Sequence, residues 1–274
     1  MKTLYITDLD GTLLNSNARL SEYTIKTINE LINEGMYFSY ATARSISSAS
    51  VVTKGLTTNL PVITFNGTFI INANTNEKLH ALYFNKEEIE FIKNILLKLS
   101  VNPLVYGYIN GEEKVSWIGS RENSGIEYYK LTRKGDKRLR PVETVEELFQ
   151  GSIFYFMCIG EKRELQKLFD YFNELDQFSC TFQKEIYRDE YLCEIYHKEA
   201  TKGNAAIKLK ENLKCEKIIS FGDAINDIPM FKVSDECYAV ENAAEELKKY
   251  ATGIIMSNDN DGVAKWLETN YSEK

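Results

Sequence analysis

Two carboxylates stand one residue apart near the beginning of the chain, where an apolar run stops at Asp8, Asp10 and Gly11. Carboxylates held this close repel each other at neutral pH, so they need a cation or a shared proton. A hard divalent ion such as Mg2+ takes oxygen ligands of this type, and a phosphate group can complete its shell. The pair therefore predicts metal-assisted phosphate chemistry; the competing interpretation is an Asp-containing turn that caps the next helix.

Acidic residues follow an apolar run a second time, near the other end of the chain. Residues 217–221 are mostly apolar, and Asp223, Asn226 and Asp227 come soon after them. If both runs are buried parallel strands, their carboxyl ends lie where open α/β sheets bind ligands. The second run repeats the logic of the first and predicts the same kind of site.

A polar cluster stands where the predicted strand of residues 36–40 enters a helix. It contains Thr42, Arg44 and Ser45. A hydroxyl group together with the free N–H groups of a helix start makes an anion site. The alternative is that Thr42 or Ser45 only caps the helix.

Two further motifs stand beside predicted elements. Asn66 and Gly67 separate two apolar runs, which is a strong signal for a β-hairpin. Lys202 begins a predicted helix, where the helix dipole disfavours a cation, so its position is unusual. A solvated lysine is the alternative interpretation.

The predicted secondary structure follows two different patterns along the chain. In the outer parts, apolar runs of strand length alternate with helical patterns; the first helix is predicted from Ser21 to Gly35. From about Tyr83 the strands come in pairs with helices between them. Such grouping is typical of an α+β unit with a mostly antiparallel sheet, so we expect an inserted domain.

Composition limits the classes of function. The 274 residues suffice for one large domain or about two ordinary ones, and 43% hydrophobic residues can build a core. There are 33 basic against 40 acidic residues, a net charge of −7, so no nucleic-acid partner is expected. The segment before Asp8 is too short to hold the apolar region of a signal peptide, and the longest apolar run, residues 153–159, is too short to span a bilayer. This predicts a cytoplasmic location and no membrane partner.

The cysteines and histidines point away from several other chemistries. The five cysteines are dispersed and contain no Cys-x-x-Cys pair, which predicts reduced, buried thiols rather than a disulfide framework or a zinc site. With only His80 and His197, a Ser-His-Asp triad or a His-rich metal site has little material. Acid and base catalysis is therefore expected from carboxylates.

The order of these motifs resembles the haloacid dehalogenase (HAD) superfamily of phosphotransferases, and most closely its Cof-type phosphatases. The resemblance covers residues 1–83 and 195–274. It rests on residues 8–14, Thr42 with Arg44, Asn66-Gly67, Lys202-Gly203 and residues 222–227, with residues 241–243 and 257–264 in support. Ala43 and Glu241 stand where the family usually has glycine; neither change removes a side chain that the chemistry requires.

The resemblance implies an α/β fold in two domains. A Rossmann-like core with a doubly wound parallel sheet would comprise residues 1–83 and 190–274. An inserted α+β cap of type C2 would comprise residues 84–189, close over the site and select the leaving group.

The resemblance also implies a role for each matching residue. Asp8 would be the nucleophile and a metal ligand, and Asp10 the general acid and base that also offers its backbone carbonyl to the metal. Lys202 would hold Asp8 and neutralise phosphate charge. Asp223 would be a further Mg2+ ligand, and Asp227 would support the metal from a second layer. The remaining matches would contact the phosphate or the substrate: Thr42, Arg44, Asn66, Gly67 and Asn226.

We therefore expect a Mg2+-dependent phosphatase of small phosphorylated metabolites, with sugar phosphates first, that works through a phospho-aspartyl intermediate on Asp8. A phosphomutase of the same fold and a non-catalytic phosphometabolite-binding protein are the alternatives. A signalling receiver domain also uses acids, a threonine and a lysine around Mg2+, but the length of the chain argues against it. The oligomeric state cannot be predicted.

Overall fold

The computed structural model describes residues 2–184 and 188–271. The chain divides into two compact units. Met1–Ala81 and Glu199–Lys274 together form what we call the first unit, and Leu82–Lys198 forms the second unit.

The strands of the described residues, in chain order, are β1 (Thr3–Thr7), β2 (Tyr37–Tyr40), β3 (Val62–Thr64), β4 (Phe69–Ile71), β5 (Lys78–Ala81), β6 (Pro103–Ile109), β7 (Glu112–Ile118), β8 (Leu139–Val142), β9 (Ser152–Gly160), β10 (Phe178–Lys184), β11 (Tyr191–His197), β12 (Lys217–Gly222), β13 (Glu236–Val240) and β14 (Gly253–Ile255). The α-helices are α1 (Glu22–Asn33), α2 (Ile46–Val52), α3 (Lys86–Lys98), α4 (Ser124–Thr132), α5 (Val145–Leu148), α6 (Lys162–Asn173), α7 (Lys202–Leu213), α8 (Ile228–Val233), α9 (Glu245–Lys248) and α10 (Gly262–Asn270). In the described part of the chain, no helix has the length and apolar character that crossing a bilayer requires.

A five-stranded parallel sheet forms the centre of the first unit, in the order β14-β13-β12-β1-β2. β1 lies between β12 and β2, and its side chains are buried on both faces of the sheet. Leu4 and Ile6 pack with Leu209 of α7, whereas Tyr5 packs with Ile28 of α1. Helices therefore cover both faces, and the predicted α/β fold with a doubly wound parallel sheet is confirmed.

Local signals position the first helix as the sequence predicts. The Ser21 side chain accepts a hydrogen bond from the backbone N–H of Thr24 and caps α1. Buried residues at Ile28, Leu31 and Ile32 form the face that packs on the sheet. The chain leaves the helix through Gly35, whose φ of 101° suits glycine.

A small antiparallel sheet of β3, β4 and β5 continues beside β2, through a bridge between Ala41 and Ile63. β3 and β4 form the predicted hairpin, with Thr64 opposite Phe69. The residues between them form a 3-10 turn over Phe65–Gly67, so the connection is longer than a two-residue Asn-Gly turn.

The second unit contains a six-stranded sheet in the order β10-β11-β9-β6-β7-β8. All neighbouring strands are antiparallel except β7 and β8, which are parallel. α3 and α6 bury apolar residues such as Ile92, Leu168 and Phe172 against one face. The prediction of a separate α+β unit with a mostly antiparallel sheet is thus confirmed.

Residues 125–140, which sequence patterns leave unassigned, contain ordered structure. Asn123 caps α4 by accepting from the backbone N–H of Ile126. β8 follows as an edge strand beside β7 and contains Pro141. The polar, basic composition hides both elements, because α4 buries only a short stretch and an edge strand tolerates proline.

Candidate active site

Three strands of the parallel sheet bring the predicted motifs to one edge. Thr7, the last residue of β1, is in register with Tyr40 of β2 and with Phe221 of β12. Asp8 follows Thr7, and its backbone N–H donates to the Phe221 carbonyl over 2.9 Å. Asp223 follows the end of β12 directly. The carboxyl ends of parallel strands therefore place acids from distant parts of the chain side by side.

A buried lysine joins two of these acids. Lys202, the first residue of α7, is only 1% exposed, and Asp8 and Asp227 are 5% and 0% exposed. The Lys202 ammonium donates to Asp8 Oδ1 over 2.6 Å and to Asp227 Oδ1 over 2.6 Å. The unfavourable position of a cation at a helix start is offset by this pair of carboxylates.

Burial and charge act in opposite directions on these groups. Burial raises the pKa of Asp8 well above its ordinary value; Lys202 lowers it, while the charge of Asp227 raises it. Burial alone would lower the pKa of Lys202, but Asp227 and Asp8 outweigh it and raise that pKa. The ammonium is thus held in its charged form beside Asp8.

Asp227 shapes the loop that follows β12. Its Oδ2 accepts hydrogen bonds from the backbone N–H groups of Asp223 and Ala224, both at 3.0 Å, while Oδ1 accepts from Lys202. A Cβ atom on Gly222 would lie 2.7 Å from Asp227 Oδ2, so the strand must end in glycine here. Asp227 therefore orients Lys202 and the backbone of Asp223.

The first motif packs directly against Asp223. Thr12 Oγ1 donates to Asp223 Oδ1 over 2.7 Å. Gly11 has a φ of 78°, and a Cβ there would lie 2.4 Å from Asp223 Oδ2. Burial raises the pKa of Asp223, whereas the bond from Thr12 lowers it. Close packing of the two motifs thus needs glycine at position 11.

Asp10 points to a different partner from Asp8. Its carboxylate is 48% exposed and accepts two hydrogen bonds from Arg44: Nε at 2.7 Å from Oδ2, and a terminal nitrogen at 2.6 Å from Oδ1. This contact raises the pKa of Arg44. The second terminal nitrogen of Arg44 donates to Ser48 Oγ over 3.0 Å. Arg44 is therefore an ordered bidentate donor at the edge of the site.

Thr42 lies at the same edge, fully buried after β2. Its hydroxyl accepts from the backbone N–H of Arg44 over 3.1 Å, and its carbonyl accepts from the N–H of Asn66 over 2.9 Å. The cap of α2 is Ser45, whose side chain accepts from Ser48, so the capping interpretation holds for Ser45 and not for Thr42.

The turn that contains Asn66 and Gly67 approaches α7 closely. Phe65, Asn66 and Gly67 have φ values of 48°, 54° and 106°, the left-handed region. A Cβ on Gly67 would lie 2.2 Å from the Thr201 carbonyl, next to Lys202. Glycine at this position therefore lets the turn pack against the start of α7.

The amide side chains of Asn66 and Asn226 meet at the site. Asn226 Nδ2 donates to Asn66 Oδ1 over 3.0 Å. Both residues were predicted as phosphate contacts. In the structure their side-chain amides are hydrogen-bonded to each other.

Thr12 and Asn242 lie inside the motifs that carry the resemblance, but neither had a predicted role. Asn242 Nδ2 donates to the Gly11 carbonyl over 2.8 Å, and its Oδ1 accepts from the backbone N–H of Asn258. Asn258 in turn donates to the Leu14 carbonyl. Two asparagines from the late loops therefore hold the loop that carries Asp8 and Asp10.

The acidic cluster has the composition that a divalent cation needs. One carboxylate oxygen from each of Asp8, Asp223 and Asp227 lies within 4.8 Å of the others. When all three are ionised, Lys202 balances only one charge and two negative charges remain. Three oxygen donors with this excess charge fit a hard divalent metal ion. The Asp10 carboxylate is outside the group and is bonded to Arg44.

The fold, the acidic cluster and the buried lysine define a hydrolase of a known class. Residues 5–267 match the family model described as haloacid dehalogenase-like hydrolase, and the chain belongs to this family. The predicted family and the prediction of an enzyme are confirmed.

Curated relatives share the whole length of the chain. A Buchnera aphidicola protein provisionally named a phosphatase is 29% identical over 100% of both chains. A 5-amino-6-(5-phospho-D-ribitylamino)uracil phosphatase of Bacillus subtilis is 25% identical, covering 98% of this chain and 97% of its own.

Solved structures agree with the fold. A Thermotoga maritima protein of known crystal structure superposes with a TM-score of 0.81, at 26% identity over 100% of this chain and 99% of its own. A haloacid dehalogenase-like hydrolase from Bacteroides thetaiotaomicron has a TM-score of 0.79 at 20% identity, covering 99% of this chain and 100% of its own.

Proposed function

We propose that this protein is a Mg2+-dependent phosphatase of small phosphorylated metabolites, with sugar phosphates as the first candidates, and that Asp8 is its nucleophile. The observation that carries the proposal is the buried contact of Lys202 with Asp8 and Asp227 beside the carboxylate of Asp223. Family membership and the names of the curated relatives support a phosphatase.

The reaction explains why charge is concentrated here. Uncatalysed hydrolysis of a phosphate monoester is so slow that an enzyme must lower the barrier by on the order of 20 kcal/mol or more. A carboxylate that attacks an anionic phosphate is repelled unless positive charge intervenes. Lys202 supplies one such charge from inside the protein. A metal ion held by Asp8, Asp223 and the backbone carbonyl of Asp10, with Asp227 behind them, would supply the rest as a Lewis acid.

In the first half-reaction, a carboxylate oxygen of Asp8 attacks phosphorus and the bond to the leaving oxygen breaks. Protonated Asp10 gives its proton to that oxygen, so the product leaves as an alcohol. The phosphoryl group stays on Asp8 as an acyl phosphate. Thr42, Asn226 and the turn at Asn66 and Gly67 are assigned to the phosphoryl oxygens.

In the second half-reaction, Asp10 takes a proton from water, and the water oxygen attacks phosphorus. The bond between Asp8 and phosphorus breaks, inorganic phosphate leaves and Asp8 is free again. Both oxygens of Asp10 accept from Arg44 in the structure, so donation of a proton requires Asp10 to release at least one of these bonds. A substrate phosphate offers Arg44 the same bidentate geometry and can displace Asp10 from it.

We assign the second unit the role of the type C2 cap that the sequence predicts. In this assignment it excludes bulk water during the first half-reaction and selects the leaving group. The assignment rests on the insertion of the unit between the motifs of Thr42 and Lys202 and on its separate α+β sheet.

The experiment that tests the proposal is a panel of phosphorylated metabolites, assayed for inorganic phosphate with Mg2+ and with a chelator. Hexose and pentose phosphates form the core of the panel. Because two relatives are named as phosphatases of 5-amino-6-(5-phospho-D-ribitylamino)uracil, that compound belongs in it as well. We expect phosphate release with Mg2+ that stops when the chelator is added and returns with excess Mg2+.

The same assay separates the alternatives. A sugar phosphate that isomerises without release of phosphate identifies a phosphomutase. Binding without any turnover across the panel identifies a binding protein. Release that continues undiminished in chelator contradicts the assigned metal.

A further inference from the structure

Three of the five cysteines lie on neighbouring strands of the second unit. β10 carries Cys180, β11 carries Cys193 and β9 carries Cys158. Cys193 is in register with Cys158, while Cys180 is in register with Ile195, two positions along β11 from Cys193. All three side chains belong to the apolar cluster on the face that α6 covers. The sheet therefore gathers thiols that are dispersed in the sequence.

One pair of these thiols is in contact. The sulfur atoms of Cys180 and Cys193 are 3.6 Å apart. A disulfide places its sulfurs about 2 Å apart, so the two must approach by about 1.6 Å. Their diagonal register on two paired strands keeps both side chains on the same face of the sheet.

We propose that Cys180 and Cys193 form an oxidisable dithiol, which a hydroperoxide converts into a disulfide that ties β10 to β11. The site is separate from the phosphatase chemistry, and no residue of the acidic cluster takes part in it.

Burial gives the two cysteines different roles. Cys180 is half-buried on β10, the edge strand of the sheet, so a small oxidant can reach it. Cys193 is fully buried. The hydrogen bond with Cys180 and burial raise the pKa of Cys193, so it remains a thiol. Cys180 is therefore the sulfur that meets the oxidant, and Cys193 is the sulfur that closes the disulfide.

The proposed reaction has two steps. The sulfur of Cys180 attacks the terminal oxygen of the hydroperoxide; an S–O bond forms, the O–O bond breaks and the alcohol leaves with the proton of the Cys180 thiol. The Cys193 sulfur then attacks the sulfenic sulfur of Cys180, an S–S bond forms and water leaves with the Cys193 proton. Two thiols supply the two electrons that reduce one hydroperoxide to an alcohol and water.

Cys158 provides the matched control within the same cluster. It is fully buried, and burial raises its pKa well above the ordinary value, as for a thiol that no oxidant reaches. Cys158 is also directly opposite Cys193 in the strand pairing. It therefore tests whether a directly opposite position is enough for a cysteine to react with Cys193.

The test uses the full reduced chain and hydrogen peroxide, the simplest hydroperoxide. Intact-mass spectrometry should show a loss of about 2 Da that dithiothreitol reverses, and two titratable thiols should disappear. Peptide mapping should locate the bond between Cys180 and Cys193. Cys180→Ala and Cys193→Ala should each lose the mass change, while Cys158→Ala should keep it.

Three results would overturn the proposal: stable oxygen addition without a disulfide, a disulfide that includes Cys158, or a bond that forms only between chains on a non-reducing gel. If Cys193→Ala fails to fold, Cys180→Ala decides alone, because its side chain is half-buried at the sheet edge. Persistence of the mass loss in Cys180→Ala would then overturn the assignment.

Discussion

The two units differ in how far they bury ionisable groups. The first unit buries Lys202 in direct contact with both Asp8 and Asp227. Within residues 82–184 and 188–198 of the second unit, charged side chains keep some exposure even where they pair, as Arg138 and Glu113 do at 19% and 8%. The neutral polar side chains of Tyr106 and Tyr129 are buried instead. Burying charge is expensive unless each charge has a partner. The first unit therefore concentrates buried charge in the acidic cluster, while the second unit buries mainly apolar and neutral side chains.

This contrast predicts that substitutions in the two units separate activity from stability. In the acidic cluster, loss of a charge should affect turnover far more than a comparable change in the second unit. In the second unit, loss of a buried polar contact should change the free energy of unfolding and leave turnover of a generic substrate intact.

The largest effect is expected at Asp8. Asp8→Asn keeps the size of the side chain and removes the carboxylate of the proposed nucleophile, so turnover of an aryl phosphate should fall by at least about 10⁴-fold. Circular dichroism and the thermal unfolding midpoint should show an intact fold. Activity within tenfold of the wild type would contradict the mechanism and move the search for the nucleophile elsewhere.

Lys202→Met should damage both activity and stability, because it leaves Asp8 and Asp227 without their shared cation. Removing one partner of a buried ion pair typically destabilises by about 3–5 kcal/mol. Urea unfolding measures this loss, and phosphate release measures the loss of turnover. Lys208→Met, on the exposed face of the same helix, is the control and should leave both nearly unchanged.

Arg44→Lys tests whether the bidentate donor that binds Asp10 in the structure also serves the substrate phosphate. Lysine keeps the charge but cannot form both hydrogen bonds. One charge-assisted bond to the phosphate is worth about 1.5–3 kcal/mol, so turnover should fall by about 10- to 150-fold. A kcat equal to that of the wild type would mean that the contact only orders the free enzyme.

The smallest effect on turnover is expected in the second unit. The hydroxyl groups of Tyr106 and Tyr129 are hydrogen-bonded over 2.8 Å in a buried environment. Tyr106→Phe leaves the Tyr129 hydroxyl without this bond and should destabilise by about 1–3 kcal/mol. The double variant with Tyr129→Phe should be no worse than the single one, since both polar groups are then gone. Hydrolysis of an aryl phosphate should match the wild type; a large loss would break the contrast between the units.

The positions of Asp8 and Asp223 were predictable from sequence because each follows the end of an apolar strand. An apolar run that stops at Asp8, or shortly before Asp223, indicates both the strand and the place where its side chains meet a ligand. A lysine at a helix start is unfavourable by itself, but nearby carboxylates stabilise it. The position of Lys202 is therefore explained by its contacts with Asp8 and Asp227. Local capping by Ser21 follows equally from short-range chemistry.

Contacts between distant loops were not predictable in the same way. Nothing in local sequence pairs Asn242 with Gly11 or Thr12 with Asp223, because these bonds depend on the order in which strands are placed in the sheet. The ion pair of Arg44 with Asp10 also joins distant parts of the chain and was not predicted. In sequence, an arginine near a helix start is equally consistent with a solvated side chain. α4 and β8 were missed because neither has a long apolar face.

The position of β1 between β2 and β12 has a consequence for how the protein is made. During synthesis, β1 can pair with β12 only after residues 217–222 have been made. The Asp8 carboxylate can bind the Lys202 ammonium only after residue 202 has been made. The sheet of the second unit has all its strand pairs within residues 103–197, so it can form on the ribosome while β1 still has one open edge. Pairing across such a separation is slow and exposes an apolar strand to misassembly. Chains released early by the ribosome would therefore carry a folded second unit and a first unit in which the region of Asp8 is still unfinished.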